Sequence, residues 1–110
     1  MAMEISKTDL STRGETLAAN TVRQVVRPNP RRTSLLLINN SATDAYISER
    51  DNVATSGDLV GILLKANAGN AVGFSALVGA DGKKRIYDGQ LYAISTAAVT
   101  ITVAEESEVA

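Results

Sequence analysis

Side chains capable of acid–base or metal chemistry are few in this 110-residue sequence, which contains neither histidine nor cysteine. This chain alone therefore cannot form a nucleophile that is activated by histidine, and it cannot form a zinc–thiolate site. Its clustered carboxylates are Asp44, Glu49, Asp51 and Asp58. Their spacing matches no calcium-binding loop, and three tyrosines and one phenylalanine offer little to wall a sugar-binding cleft. We expect no enzymatic activity, cofactor or metal site, and interpret these carboxylates as residues of solvated loops.

Basic residues form the second candidate group, and most of them lie in two runs. The first run comprises Arg23, Arg27, Arg31 and Arg32, and the second is Lys83, Lys84 and Arg85. Both could be ordinary solvated turns, or they could bind the carboxylates of a partner protein, for which arginine is well suited. No aromatic residue is interleaved with them, so nucleic acid is an unlikely partner. Glu105 and Glu106, near the acidic end of the chain, would complement the basic segments on a neighbouring copy.

The elements that must position these residues are predicted to be strands. Valine, isoleucine and threonine are abundant, and turn residues recur about every ten positions. No segment shows a sustained helical repeat of apolar residues. We therefore predict an all-β fold, an antiparallel β-sandwich or small barrel of seven to eight strands with an extended N-terminal arm. With a net charge of −1 and no long apolar run, we expect neither membrane insertion nor secretion.

Particular segments give sharper expectations. The unbroken apolar run in Thr33–Asn39 indicates a strand that is buried on both faces. After a polar turn, Ala45–Glu49 is predicted to return beside it as the second strand of a hairpin. Gln90–Ser95 and Ala98–Ala104 are joined by a similarly short connection. In the latter, alternation of threonine with valine and isoleucine predicts a half-exposed antiparallel strand.

The N-terminal segment is polar, and its apolar residues are isolated. We interpret residues 1–20 as an extended arm whose Ile5, Leu10 and Leu17 contact a partner, residues 21–106 as the β-sandwich domain, and residues 107–110 as an acidic tail. Ordering such an arm costs roughly 1–2 kcal/mol per residue in backbone entropy, so contacts with a partner must compensate.

Two stretches of the sequence resemble a known class of proteins. Arg31–Ile47 contains RTSLLLINNSATDAYI after its first arginine, and Gly89–Glu105 contains GQLYAIS followed by VTITVAE. These stretches are similar to those of small all-β virion proteins of tailed bacteriophages and related viruses. The resemblance implies a β-sandwich that attaches to a capsid or tail surface, commonly as a trimer or another symmetric oligomer. It implies no catalytic residue.

The resulting functional expectation is a non-enzymatic structural protein of a virus particle, assembled in the host cytoplasm. Its most favoured role is that of a capsid (head) decoration or cement protein that stabilises adjacent capsid subunits through its arm and through symmetric self-association. Its partners would be a capsid or other virion protein and further copies of itself, with a trimer favoured. The alternative is a receptor- or glycan-binding module of a head or tail fibre, acting through its exposed loops.

Overall fold

A computed structural model describes residues 7–109 of the chain, which contain ten strands. The strands are β1 (Thr8–Leu17), β2 (Arg23–Val26), β3 (Arg32–Asn39), β4 (Ala45–Ser48), β5 (Ile62–Leu64), β6 (Ala71–Ser75), β7 (Leu77–Val78), β8 (Lys84–Arg85), β9 (Leu91–Ser95) and β10 (Val99–Glu108). A single 3-10 turn, Gly57–Leu59, is the only helical element in this part of the chain. The fold is all-β, as predicted.

The strands form two four-stranded antiparallel sheets and a separate hairpin. The first sheet has the order β1-β10-β3-β6, the second has the order β2-β9-β4-β5, and β7 pairs with β8. Neither sheet closes on itself, so the architecture is sandwich-like, and the predicted alternative of a closed barrel is wrong. Within residues 7–109, no helix is long and apolar enough to cross a membrane.

The core lies between the two sheets and is built from aliphatic side chains. Both sheets contribute alternate residues, as the twofold period of a strand requires. The buried cluster comprises Leu17, Val25, Val26, Leu35, Leu37, Ala45, Ile47, Leu64, Leu91, Ala93, Val99, Ile101 and Val103. In β10, the three core residues alternate with exposed Thr100 and half-buried Thr102, which confirms the predicted half-exposed strand.

The predicted pairing of β3 with β4 is wrong, because the chain crosses between the sheets at this place. Strand β3 belongs to the first sheet and β4 to the second, and the same separation holds for β10 and β9. Asn39 stabilises the first crossing: its buried side-chain amide donates hydrogen bonds to the carbonyls of Thr43 (2.7 Å) and Leu64 (3.2 Å). Strand β3 is also not buried on both faces, since Leu36 is 40% exposed.

The described part of the N-terminal segment is a strand of the sheet. Strand β1 pairs with β10 over ten residues, from Thr8 opposite Glu108 to Leu17 opposite Val99. It therefore lies along its own chain as the edge of the first sheet. Strand β10 extends to Glu108, four residues beyond the predicted end of the last strand.

Candidate functional site

Arg32 has the most elaborate environment of the predicted interface residues. Its side chain is completely buried, and its Nε donates to Oε2 of Glu105 at 2.7 Å. Nη1 donates to the carbonyls of Tyr87 (2.8 Å) and Gly89 (3.1 Å), and Nη2 donates to the carbonyl of Arg27 (2.8 Å). Four of its five N–H groups thus bind the same chain. Arg32 joins three segments of the fold and presents no charge to a partner.

A β-bulge is the reason that Arg32 points inwards. Leu35 lies opposite Glu105 and Ser34 opposite Glu106, but Arg32, not Thr33, lies opposite Ser107. The extra residue, Thr33, shifts the alternation of β3 by one position. Arg32 consequently shares the inner face with Leu35, and the Thr33 hydroxyl donates to Glu106 at 3.2 Å.

A polar cleft lies between the edge strands β1 and β2, with a volume of about 620 Å³. Glu15 accepts a hydrogen bond from Arg13 at 3.0 Å and pairs with Arg23 at 2.9 Å, while Arg13 also lies 3.6 Å from Glu105. The acidic and basic side chains on its walls largely neutralise each other. The cleft therefore has only a weak electrostatic preference for anions.

The remaining predicted interface residues differ in accessibility. Arg27 and Arg31 are exposed, and Glu106 is half-buried. Leu10 is 69% exposed on β1 and available to a partner. Leu17 is instead fully buried in the core of its own chain, because it ends β1 opposite Val99. Ile5 lies outside the described residues.

Strand β1 leaves a long free edge. Along an antiparallel pair, backbone groups point alternately toward and away from the partner strand. The Thr16 carbonyl accepts a hydrogen bond from the Arg23 side chain, away from β10, and Val109 N–H on the opposite strand donates to Lys7. This pattern places the backbone groups of Thr8, Leu10, Thr12 and Gly14 on the outer edge.

The clustered carboxylates do not converge on a common site. In the part of the chain that the structure describes, no three acidic side chains are placed to hold a metal ion. Asp44 accepts the backbone N–H of Ala66 at 2.8 Å, a structural role at the end of β5. Hydrogen bonds from its own backbone N–H and from the Ser48 hydroxyl lower the pKa of Glu49, so its carboxylate is charged at neutral pH.

An apolar cavity of about 210 Å³ opens on the opposite side of the sandwich, where edge strands β5 and β6 diverge. Ile47, Ile62, Phe74, Tyr87 and Leu91 form its walls, with Ser48 and Glu49 at one side. The Phe74 and Tyr87 ring centroids are 6.0 Å apart. Burial and then the Glu49 charge raise the pKa of Tyr87, whose hydroxyl donates to the Gln90 carbonyl at 2.6 Å.

Sequence reasoning did not predict this cavity. The available signal was that two of the four aromatic residues, Phe74 and Tyr87, flank the glycine-rich segment 79–82. Short β7 and β8 bring the ends of that segment together and thereby place both rings on one side of the molecule.

Comparison of the chain with protein-family models, with curated proteins and with solved structures finds no significant match.

Proposed function

We propose that this protein is a non-enzymatic structural component of a virus particle, a capsid decoration or cement protein that binds adjacent capsid subunits and associates with further copies of itself. The observation that carries the proposal is the free edge of β1. The resemblance of Arg31–Ile47 and Gly89–Glu105 to small virion proteins is the second support.

The edge of β1 is suited to pairing with a strand of another protein. Its pairing with β10 runs over ten residues without a register shift, and β1 contains no proline. Bulges, prolines, lysines and inward-pointing charges are the usual means by which proteins block an edge strand. Strand β1 has inward-pointing charges only at Arg13 and Glu15, near its Leu17 end, so its first half is the more accessible part. Strand addition would use the outward backbone groups from Thr8 to Gly14 for affinity and the exposed Leu10 side chain for specificity.

Attachment through an edge also suits a particle surface. Each contact would be modest, because a few backbone hydrogen bonds contribute roughly 0.5–1.5 kcal/mol apiece. A symmetric oligomer on a symmetric lattice engages several such contacts at once, and the effective concentration multiplies their strength. A small domain can therefore bind a capsid firmly without a large individual interface.

The test is binding of the purified protein to particles that lack it, with Thr12→Pro as the decisive variant. Proline removes the outward N–H of Thr12 and leaves the β1–β10 hydrogen bonds intact, because proline is tolerated where a strand N–H faces solvent. Thr12→Val keeps that N–H and is the matched control. We expect saturable binding by wild type and Thr12→Val in co-sedimentation, and a loss of at least about tenfold in affinity for Thr12→Pro, equivalent to 1.4 kcal/mol.

Circular dichroism establishes that each variant is folded. Equal binding by Thr12→Pro and Thr12→Val would exclude the β1 edge as the attachment site. Absence of saturable capsid binding by wild type would exclude the decoration role, and labelling of fibre tips alone would favour the receptor-binding alternative.

A further inference from the structure

Exposed apolar side chains concentrate in one part of the sequence, and within it Tyr87 lines both the apolar cavity and the pocket beside Leu77. Ten large apolar or aromatic residues in the described part of the chain are exposed, and seven of them fall between positions 59 and 87. These seven are Leu59, Val60, Ile62, Leu63, Leu77, Val78 and Tyr87. Isolated exposed apolar residues are ordinary, but a concentration of this kind marks an interaction surface.

This surface combines a projection with a cavity. The projection is the 77–85 hairpin, in which Leu77 pairs with Arg85 and Val78 with Lys84. Leu77 and Val78 are 72% and 73% exposed. The cavity is the apolar one between β5 and β6, and Ile62 at its wall is 55% exposed. Its volume of about 210 Å³ is sufficient for an aliphatic side chain, since buried apolar cavities of about 150 Å³ already bind benzene.

The charged residues are also distributed unevenly between the projection and the cavity. The 77–85 hairpin carries Lys83, Lys84 and Arg85, of which Arg85 pairs with Asp81 at 2.7 Å and Lys84 with Glu108 of β10 at 3.0 Å, so that the hairpin together with Glu108 keeps a net charge of +1. The 49–58 loop, which begins at the Glu49 side of the cavity, carries three carboxylates against one arginine. The projection is therefore net positive and the segment beside the cavity net negative. Opposite charge on the two halves favours contact between copies in which one hairpin meets another cavity.

Strand addition is disfavoured at β5. The Asn70 side chain covers the outer edge of β5: Nδ2 donates to the Leu63 carbonyl at 2.9 Å, and Oδ1 accepts the Lys65 N–H at 2.6 Å. An amide that satisfies both groups leaves little of this edge for a partner strand. At β5 a partner would therefore bind mainly through side chains.

We propose that the occupant of this surface is a second copy of the chain, with Val78 and Leu77 of one copy packed into and beside the apolar cavity of the other. The inference rests on the proposed function, because self-association is part of it, and it assigns that association to specific residues. The contact buries apolar groups that are exposed in the single chain and joins the positive hairpin to the negative loop.

The experiment is sedimentation velocity of the free protein, without capsids. We expect the wild type to form an oligomer at concentrations on the order of 10–100 µM. Val78→Asp on the hairpin and Ile62→Asp at the cavity should each raise the dissociation constant at least about tenfold, because each places a carboxylate in a desolvated apolar contact. Added salt should weaken the wild-type oligomer by screening the opposite charges.

Leu36→Asp is the matched control, since Leu36 is also exposed but lies on the face of β3 away from the core, outside both the hairpin and the cavity. It should leave the oligomer unchanged, and thermal unfolding verifies that all three variants are folded. A monomeric wild type, or an oligomer unaffected by both Val78→Asp and Ile62→Asp, would overturn this inference. Neither result bears on capsid binding, which the Thr12→Pro experiment tests separately.

Discussion

At the residue scale, the buried ion pair of Arg32 and Glu105 is the most informative feature. A charge removed from water is tolerated only when its hydrogen bonds are replaced. Arg32 replaces them with Glu105 and with three backbone carbonyls, from Arg27, Tyr87 and Gly89. Such a pair does not by itself indicate high stability, but breaking it leaves several buried groups without partners.

Arg32→Met tests this role. The substitution retains an apolar stem but removes every donor, so we expect the free energy of unfolding to fall by about 3–5 kcal/mol. Arg31→Met is the matched control, because Arg31 is exposed, and should change stability by less than about 0.5 kcal/mol. Urea unfolding at neutral pH measures the free energy of unfolding of both variants. Similar free energies of unfolding for the two variants would show that the hydrogen bonds of Arg32 contribute little to stability.

The distinction between Arg31 and Arg32 could not be predicted from the sequence. Both lie in a basic run after a proline-rich turn, and local patterning treats them alike. The bulge at Thr33 separates them, and it is defined by the register with β10, more than 70 positions away. The exposure of Leu10, in contrast, could be predicted from local sequence. Leu10 is isolated among polar residues, which indicates an accessible side chain, and it is 69% exposed.

At the element scale, strand existence was more predictable than strand pairing. Apolar alternation and turn residues located β3, β4, β9 and the beginning of β10 within one or two positions, because these signals are local. The polar connection at positions 40–44 has the composition of a hairpin turn, yet it crosses between the sheets, as does the connection at positions 96–98. The crossing at Asn39 depends on a hydrogen bond to Leu64, and that contact between distant segments has no local signal.

Asn70 provides a prediction at this scale. In Asn70→Ala the Lys65 N–H loses its acceptor and the Leu63 carbonyl its donor, and we expect a cost of about 1 kcal/mol. Asn70→Asp is the comparison, because it keeps an oxygen for the Lys65 N–H while replacing the donor to Leu63 with an oxygen that repels the Leu63 carbonyl. Hydrogen exchange should therefore accelerate at the Lys65 amide in Asn70→Ala but not in Asn70→Asp. Equal exchange in the two variants would contradict the capping role of the amide.

At the scale of the whole molecule, the two ends of the described chain belong to one sheet. Strands β1 and β10 pair along their full lengths, and the Val109 N–H donates to the Lys7 carbonyl at 3.0 Å. The first sheet is therefore completed by residues nearly 100 positions apart. Pairing of such distant segments slows folding, because the chain loses the entropy of closing a long loop before the contacts form.

Removing residues 2–17 tests whether β1 is an integral part of the fold. The deletion removes Leu17 from the core, which alone is worth about 2–5 kcal/mol, together with the ladder to β10. Small domains are stable by only about 5–15 kcal/mol, so we expect the truncated chain to be largely unfolded by circular dichroism. Since β1 is an edge strand, a peptide of residues 7–19 added in trans should restore the native spectrum.

The same peptide with Leu17→Asp is the control and should fail to restore folding, because it would bury an unpaired carboxylate in the core. If the truncated chain folds without any peptide, residues 8–17 form a dispensable arm that docks on a self-sufficient domain. If both peptides restore folding equally, the backbone ladder alone completes the sheet and Leu17 adds nothing. Restoration by the wild-type peptide alone would establish that the side chain of Leu17, and not only the free edge of β10, binds β1 to the sandwich.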